Sequence, residues 1–243
     1  MTALTRRSLL AAAAVIAAPR RPDFFDGETI HLDGAELVLT DIVAPAPATP
    51  AGGGEPGAEI ARAALQDFLA TSRPLAFVEP PRDRWGRLSG PARFLRADGG
   101  QTTAQAALLE AGAARVSPQT EDAAIIDAYF AAEDAARAAK KGIWAIPAYA
   151  VRDAREQRRA FGFQIFRGEI RSTGENRGRV YFNFGDDFRT DLTATVTKGA
   201  FRRWRRKDPL ATYFGKIVEV RGPVDWINGP SIELRHERQM RLL

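Results

Sequence analysis

Residues 83–88 read DRWGRL, and they lie between two apolar, strand-favouring stretches, LAFVE at 75–79 and PARFLRA at 91–97. Three charges, a tryptophan and a glycine in six positions predict a hairpin turn. Gly86 supplies the turn and the charges face water. A second use of the same residues is open: Arg87, carried on a rigid sheet, faces a phosphate. Which use applies depends on the rest of the chain.

Working outward, TIHLDGAELVLTDIV at 29–43 alternates apolar and polar residues around Asp33-Gly34, a second hairpin signal. The Pro-, Gly- and Ala-rich stretch at 44–57 reads as a flexible surface loop. Ile60, Ala64, Leu65 and Phe68 recur at helical spacing within 58–71. Two more helices are expected, over Thr102–Ala113 and over Ala123–Lys141, the latter closed by Gly142. Ala148–Arg159 is charged and helix-prone, so a linker helix is expected over 148–160. Beyond it come short strand-like segments, FQIFRGEIRST, RVYFNFG, LTATVT, KIVEVRGPVDWING and PSIELRHERQMRLL. A basic helix near 199–207 interrupts them. Five strands with a helix before the last pair fit a small oligonucleotide/oligosaccharide-binding barrel over 161–243.

Charge divides the same way. Residues 22–150 hold 11 Lys+Arg against 18 Asp+Glu, net −7, whereas residues 151–243 hold 20 against 12, net +8. The overall +5 therefore hides an acidic half and a basic half, which attract each other within one chain. Attraction for a polyanion lies on the second half. FRRWRRK at 201–207 has five cations around one tryptophan. Arg202, Arg203, Arg205, Arg206 and Lys207 are candidates to neutralise phosphates, with Trp204 to stack a base of a single strand. The bland reading of the same run is a solvated helix face. In VYFNFG, Tyr181 and Asn183 share one face and Phe182 and Phe184 the other, so one pair is core and the other is open to a ligand.

The chain has no cysteine, which excludes thiol chemistry and thiolate metal sites. Residues 1–22 read as a signal peptide, with a basic start, an apolar run from Leu9 to Ala18 and small residues before a cleavage point. That run is too short to span a bilayer, which takes about 20 apolar residues. Thr5-Arg6-Arg7-Ser8-Leu9-Leu10 is similar to a twin-arginine export signal. The expectation is an exported protein, periplasmic or extracellular, with no membrane contact in its mature form.

From about residue 24 to 145 the chain resembles the staphylococcal nuclease (thermonuclease) family. The resemblance runs in order through DGET (26–29), LTDIVAPAP (39–47), the helix at 59–69, DRWGRL (83–88), ALLEAGAARV (107–116) and KKGIW (140–144). It implies a mainly β fold with α: a staphylococcal-nuclease-like β-barrel with helices over 24–147, followed by a second small β-barrel. It also implies cleavage of DNA and RNA with calcium, which takes hard oxygen ligands, and arginines that neutralise the phosphate. Carried over residue by residue, one arginine position holds Arg87. The first carboxylate position holds Glu28, where aspartate is usual, beside Asp26. The other arginine position holds Val38, the second carboxylate position Val43 and the position of the assisting glutamate Ala46. Asp41 is a possible substitute ligand, so a weak calcium site of Asp26, Glu28 and Asp41 is one expectation. The alternative is that Asp41 faces solvent.

Three function classes follow. The first is a catalytically impaired nuclease-family homologue that binds single-stranded nucleic acid or another polyanion through its basic half. The second is an active calcium-dependent phosphodiesterase with a rearranged site. The third is an envelope protein-interaction module. Export has its own test: Arg6→Lys with Arg7→Lys should retain the precursor in the cytoplasm, read by fractionation and immunoblot, and normal periplasmic accumulation would remove the twin-arginine assignment.

Overall fold

The structure is a computed structural model that describes residues 15–16, 23–24, 26–32, 35–50, 52–75, 77–78, 82, 86–155, 160–187, 190–204, 210–227 and 229–243. Most of the expected signal peptide, the expected turn at Asp33-Gly34, Asp83–Trp85 and Arg205, Arg206 and Lys207 lie outside the described residues.

The first unit opens with short strands, β1 (Val15–Ile16), β2 (Asp23–Phe24), β3 (Thr29–Leu32), β4 (Ala35–Leu39) and β5 (Ile42–Val43). Then come α1 (Ala58–Thr71), β6 (Arg73–Pro74), β7 (Phe77–Val78), β8 (Leu88–Gly90), β9 (Arg93–Leu95), β10 (Gln101–Thr103), α2 (Ala104–Glu110), β11 (Arg115–Val116) and α3 (Ala123–Ala138). Strands β2, β3, β4 and β8 form one sheet, in which only the β4–β8 pair is parallel. Strands β10, β9 and β6 form a second, while β5 with β11 and β1 with β7 form two-stranded ladders. Alternation along β4 sends Leu37 and Leu39 inward, where they meet Leu65, Leu88, Phe94, Leu108 and Phe130 in one apolar core. On α1 the buried positions are Ala61 and Leu65, with Ala64 and Phe68 partly covered. Ile60, expected in that stripe, is 38% exposed, because the inward face is centred one position further on. Thr103 caps α2 by accepting the Ala106 N–H, and Asp122 caps α3 by accepting those of Ala124 and Ile125.

Two sequence signals acquire a physical cause here. Gly86 has φ +82°, the left-handed conformation that glycine adopts without penalty. Across its turn Arg82 and Leu88 form an isolated antiparallel bridge, and the Arg82 guanidinium donates to the Gly86 carbonyl at 2.8 Å. The described residues flanking Asp83–Trp85 thus come together as the ends of a turn do. Gly112 and Gly142, also at positive φ, press backbone against backbone. A Cβ on Gly112 would stand 2.4 Å from the Lys141 oxygen, and one on Gly142 2.3 Å from the Gly112 oxygen. That contact, with Ile143 N–H donating to Gly112 O at 2.8 Å, docks the GIW segment against the end of α2.

The second unit contains β12 (Arg152–Asp153), β13 (Phe163–Glu169), β14 (Ser172–Asn176), β15 (Arg179–Asn183), β16 (Thr193–Thr197), α4 (Lys198–Trp204), β17 (Ile217–Trp226), β18 (Pro230–Glu233) and β19 (Met240–Leu242). Its sheet order is β12-β13-β17-β18-β16-β15-β14, with β19 added on β17. Pairs β12–β13 and β16–β18 are parallel and the rest antiparallel. Strand β13 and strand β14, at opposite ends of the β13-to-β14 path, are consecutive in the chain. Val180, Phe182, Ala194, Val196, Val218, Val220 and Ile232 face one core. Among the described residues the ladders of neither unit close into a barrel. The expected linker helix is also absent from its described part: Pro147–Tyr149 is a single 3-10 turn, and Arg152–Asp153 is a strand. Strand pairing with β13 overrides the local helix propensity.

The two units meet through buried charge. Arg221 of β17 is wholly buried, with its Nη1 2.8 Å from Glu133 Oε1 of α3 and its Nη2 2.7 Å from Glu219 Oε1. Arg221 also donates to the Val116 carbonyl at 3.1 Å. Arg137 reaches Glu219 at 2.9 Å, Arg241 reaches Asp134 at 2.7 Å, and Arg238 pairs with Asp127. The Phe130 ring lies under both guanidiniums, 4.7 Å from that of Arg221 and 4.3 Å from that of Arg241. Burial raises the Glu219 pKa, but the charges and hydrogen bonds of Arg221 and Arg137 outweigh it and leave the carboxyl below its usual range. The acidic and basic halves thus contact each other directly. Removing one partner of a buried pair strands the other, so Arg221→Met should destabilise the protein by about 3–5 kcal/mol in urea unfolding. Arg235→Met, at the exposed pair with Glu233, should leave the transition nearly unchanged.

Candidate functional site

The turn from β2 into β3 places two carboxylates close together. Asp26 is used locally: its Oδ1 accepts the Glu28 N–H at 2.9 Å and its Oδ2 the Thr29 hydroxyl at 3.2 Å. Glu28 reaches across the fold, and its Oε2 accepts the Ala44 N–H at 2.8 Å. The loop at 44–57, expected to be flexible, is pinned at its base by a third carboxylate. Glu55 accepts the Ala46 N–H on Oε2 at 2.9 Å and donates its own N–H to Ala46 O at 2.8 Å. Tyr149 holds the end of the loop by donating its hydroxyl to Pro56 O at 2.6 Å.

Arg115 provides the cation of this cluster. In the β5–β11 ladder it stands directly opposite Val43, on the same face. It is 3% exposed and lies between the rings of Tyr149 and Phe163, at 4.7 and 5.1 Å. Its Nη1 donates to the Phe163 carbonyl at 2.5 Å, while its Nε and Nη2 have no hydrogen-bond partner. Burial lowers its pKa, with the charges of Glu55 and Glu133 acting the other way. Burial dominates Glu28 too and pushes its carboxyl up to about 7. The Ala44 hydrogen bond opposes that shift, Asp26 and Glu55 add to it, and Arg115 opposes it.

The structure therefore brings Glu28 and Asp26 together, as expected, but with Glu55 and Arg115 rather than with Asp41. Asp41 sits at φ +68° in the turn before β5 and is 4% exposed. Its Oδ1 accepts the N–H groups of Gln119 and Thr120, each at 2.7 Å, and its own carbonyl accepts that of Ser117. It neither joins the other two carboxylates nor faces solvent; it ties down the 117–120 loop. Arg87 is half-buried immediately before β8, and Val38 lies between Thr29 and Ser89 in the ladders. Among the described residues no three His, Asp or Glu side chains are grouped to hold a metal ion. The donors that are present do not fit calcium. Glu28 is committed to the Ala44 backbone amide, and position 43, where the resemblance places a carboxylate, holds valine opposite Arg115.

In the second unit Arg202 and Arg203 are exposed on α4. Trp204 is half-buried at the end of α4. It packs partly buried against the core, beside Phe201, Tyr213 and Met240, because α4 needs an apolar face to dock on β15 and β16.

Residues 36–146 match the family model described as Staphylococcal nuclease homologue. Over these residues, somewhat under half of its length, the chain is similar to that family. The match begins at Glu36, so Asp26 and Glu28 precede it, and it ends at Ile146, ahead of the second unit. No curated protein matches the chain. The mixed strand and helix content of the domain agrees with a mainly β fold with α. No helix among the described residues is long and apolar enough to cross a membrane.

The sequence reading missed Glu55 and Arg115. Glu55 lay in a stretch whose Pro and Gly content read as loop. Arg115 lay inside ALLEAGAARV, where its pairing with Val43, 72 residues away, has no local signal. The shifted Glu28 gives a pH test. With a folded pKa above the unfolded one, the native state binds the extra proton, so stability is full below about pH 4.5 and falls as pH rises toward about 7. Glu28→Gln keeps an acceptor for Ala44 N–H and should flatten that decline in urea midpoints measured from pH 5 to 8. An unchanged slope would count against the burial of this carboxyl.

Proposed function

We propose that this chain is an exported nuclease-family protein that binds nucleic acid or another polyanion through its basic second unit and does not hydrolyse it. One observation carries the loss of catalysis: Val43 stands opposite the buried Arg115. A buried cation on the neighbouring strand disfavours a divalent one nearby, and valine offers no oxygen to bind it. Val38 and Ala46 remove a phosphate-neutralising arginine and the carboxylate that assists water. Loss of a single group of this kind typically lowers rate by about 10²–10³, and three are substituted here.

Binding rests on the second unit's excess of eight positive charges. Part of that excess is consumed at the interface by Arg221, Arg238 and Arg241. The exposed remainder includes Arg202 and Arg203, and the sequence adds Arg205, Arg206 and Lys207 next to them. Because Trp204 is committed to the core, phosphate contacts rather than stacking supply the affinity.

The purified full chain should give no calcium-stimulated cleavage of single- or double-stranded DNA above a buffer blank. It should bind a single-stranded oligonucleotide with a log–log salt slope of roughly −0.7 per phosphate contact. Arg202→Ala with Arg203→Ala should flatten that slope, whereas Trp204→Phe should leave it unchanged. Robust cleavage abolished by Arg87→Ala would overturn the catalytic half of the reading. Salt-independent binding would overturn the electrostatic half and favour a protein partner.

A further inference from the structure

The outer face of β14, β15, β16 and β18 forms a groove of about 780 Å³, within the roughly 300–1,000 Å³ of small-ligand sites. It lies on the face opposite the apolar core, since Val180 and Phe182 point inward while Tyr181 and Asn183 point out. Strand register sets its floor in rows. Asn183, Thr193, Ser231 and Asp225 are successive cross-strand neighbours, so hydroxyl, amide and carboxylate groups run side by side across four strands. Asn183 is held in orientation, donating to Ser172 Oγ at 2.9 Å and accepting from Thr193 Oγ1 at 3.2 Å. The next row holds Gly174, Tyr181, Thr195 and Glu233.

Gly174 is directly opposite Tyr181 and has no side chain to lie against its ring. A Cβ there would meet nothing within 4 Å, so the space beside the tyrosine is open. A flat aromatic face next to a bed of short groups that both donate and accept hydrogen bonds suits a sugar, whose ring has an apolar C–H face and a rim of hydroxyls. The charge balance argues against a polyanion at this place. Glu175, Asp225 and Glu233 line the groove against Arg177 and Arg179. Arg179 is held by Glu233 at 2.8 Å and Thr195 at 2.7 Å, and Glu175 by Lys198. Single-strand binders need a net positive groove; among the described residues this one is lined by three carboxylates and two guanidiniums, with Lys198 and Arg235 each engaged by one of those carboxylates.

We propose that this groove binds a neutral oligosaccharide, with one sugar ring packed on Tyr181 and its hydroxyls bonded to Asn183, Thr193 and Asp225. The site is separate from Arg202 and Arg203, so it does not depend on the polyanion reading. The test is calorimetric titration of the full chain with maltotetraose, cellotetraose and tetra-N-acetylchitotetraose, and with octathymidylate, at low and high salt. The expected result is saturable binding of at least one tetrasaccharide, with an affinity that salt does not change. Gly174→Val and Tyr181→Ala should each weaken it at least tenfold. The valine fits a strand and meets open space, so Gly174→Val should keep the parent urea midpoint while covering the ring. Three results would overturn the proposal: no heat from any of the three sugars at millimolar concentration, sugar binding that Gly174→Val leaves intact, or octathymidylate binding that Gly174→Val abolishes.

Discussion

Arg221 is the residue on which the arrangement of the two units depends. A guanidinium taken wholly out of water is tolerable only when carboxylates and carbonyls replace its hydration. Two of its acceptors, Glu133 and the Val116 carbonyl, belong to the nuclease-homologue domain, and the third, Glu219, is two residues away on its own strand. Separating the units would leave Glu133 and Arg221 without each other. The buried pairs need add little net stability to specify this geometry, because every other docking position strands a charge.

That docking also decides what surrounds the family's chemical position. Phe163, at the start of the second unit's longest early strand, lies against Arg115, and Arg115 lies across from Val43. A Cβ on Gly162 would be 3.4 Å from Glu55 Oε1. The second unit thus reaches the ground beside Glu55 and Arg115. Desolvation raises the carboxyl of Glu28 and lowers the guanidinium of Arg115, each toward its neutral form. A site built to hold a metal and a phosphate needs water access and fixed negative charge. In this protein the region around Arg115 and Glu55 borders the second unit.

The second unit carries two kinds of outer surface with opposite chemistry. The α4 end presents exposed arginines, whereas the sheet face presents short polar groups beside charges of both signs, with Arg179 and Glu233 paired. Net charge summed over residues 151–243 describes the first and conceals the second. Several of those arginines serve structure: Arg221 and Arg241 bond the first unit, and Arg179 braces the sheet.

Much of this was legible locally. Helix α1 spans Ala58–Thr71 as its periodicity indicated, and Gly86 turns the chain where DRWGRL required. The family resemblance, read from motifs spread over 120 residues, agrees with the match over residues 36–146. That positions 38, 43 and 46 hold valine, valine and alanine is also plain from the sequence, while their correspondence to functional positions is what the resemblance implies. Other features depended on contacts between distant residues. Asp41 was expected either to join Asp26 and Glu28 or to face solvent, but at positive φ its carboxylate accepts the N–H groups of Gln119 and Thr120. Trp204 sits in a basic run whose composition suggests stacking, yet the core takes its ring. Arg115 and Arg221 are single cations with no motif around them; only folding brings Val43, Glu133 and Glu219 to them. Sequence determined which residues were available and how each segment bends. Tertiary structure decided which charges lost their water, and therefore which carboxylates and arginines remain open to a ligand.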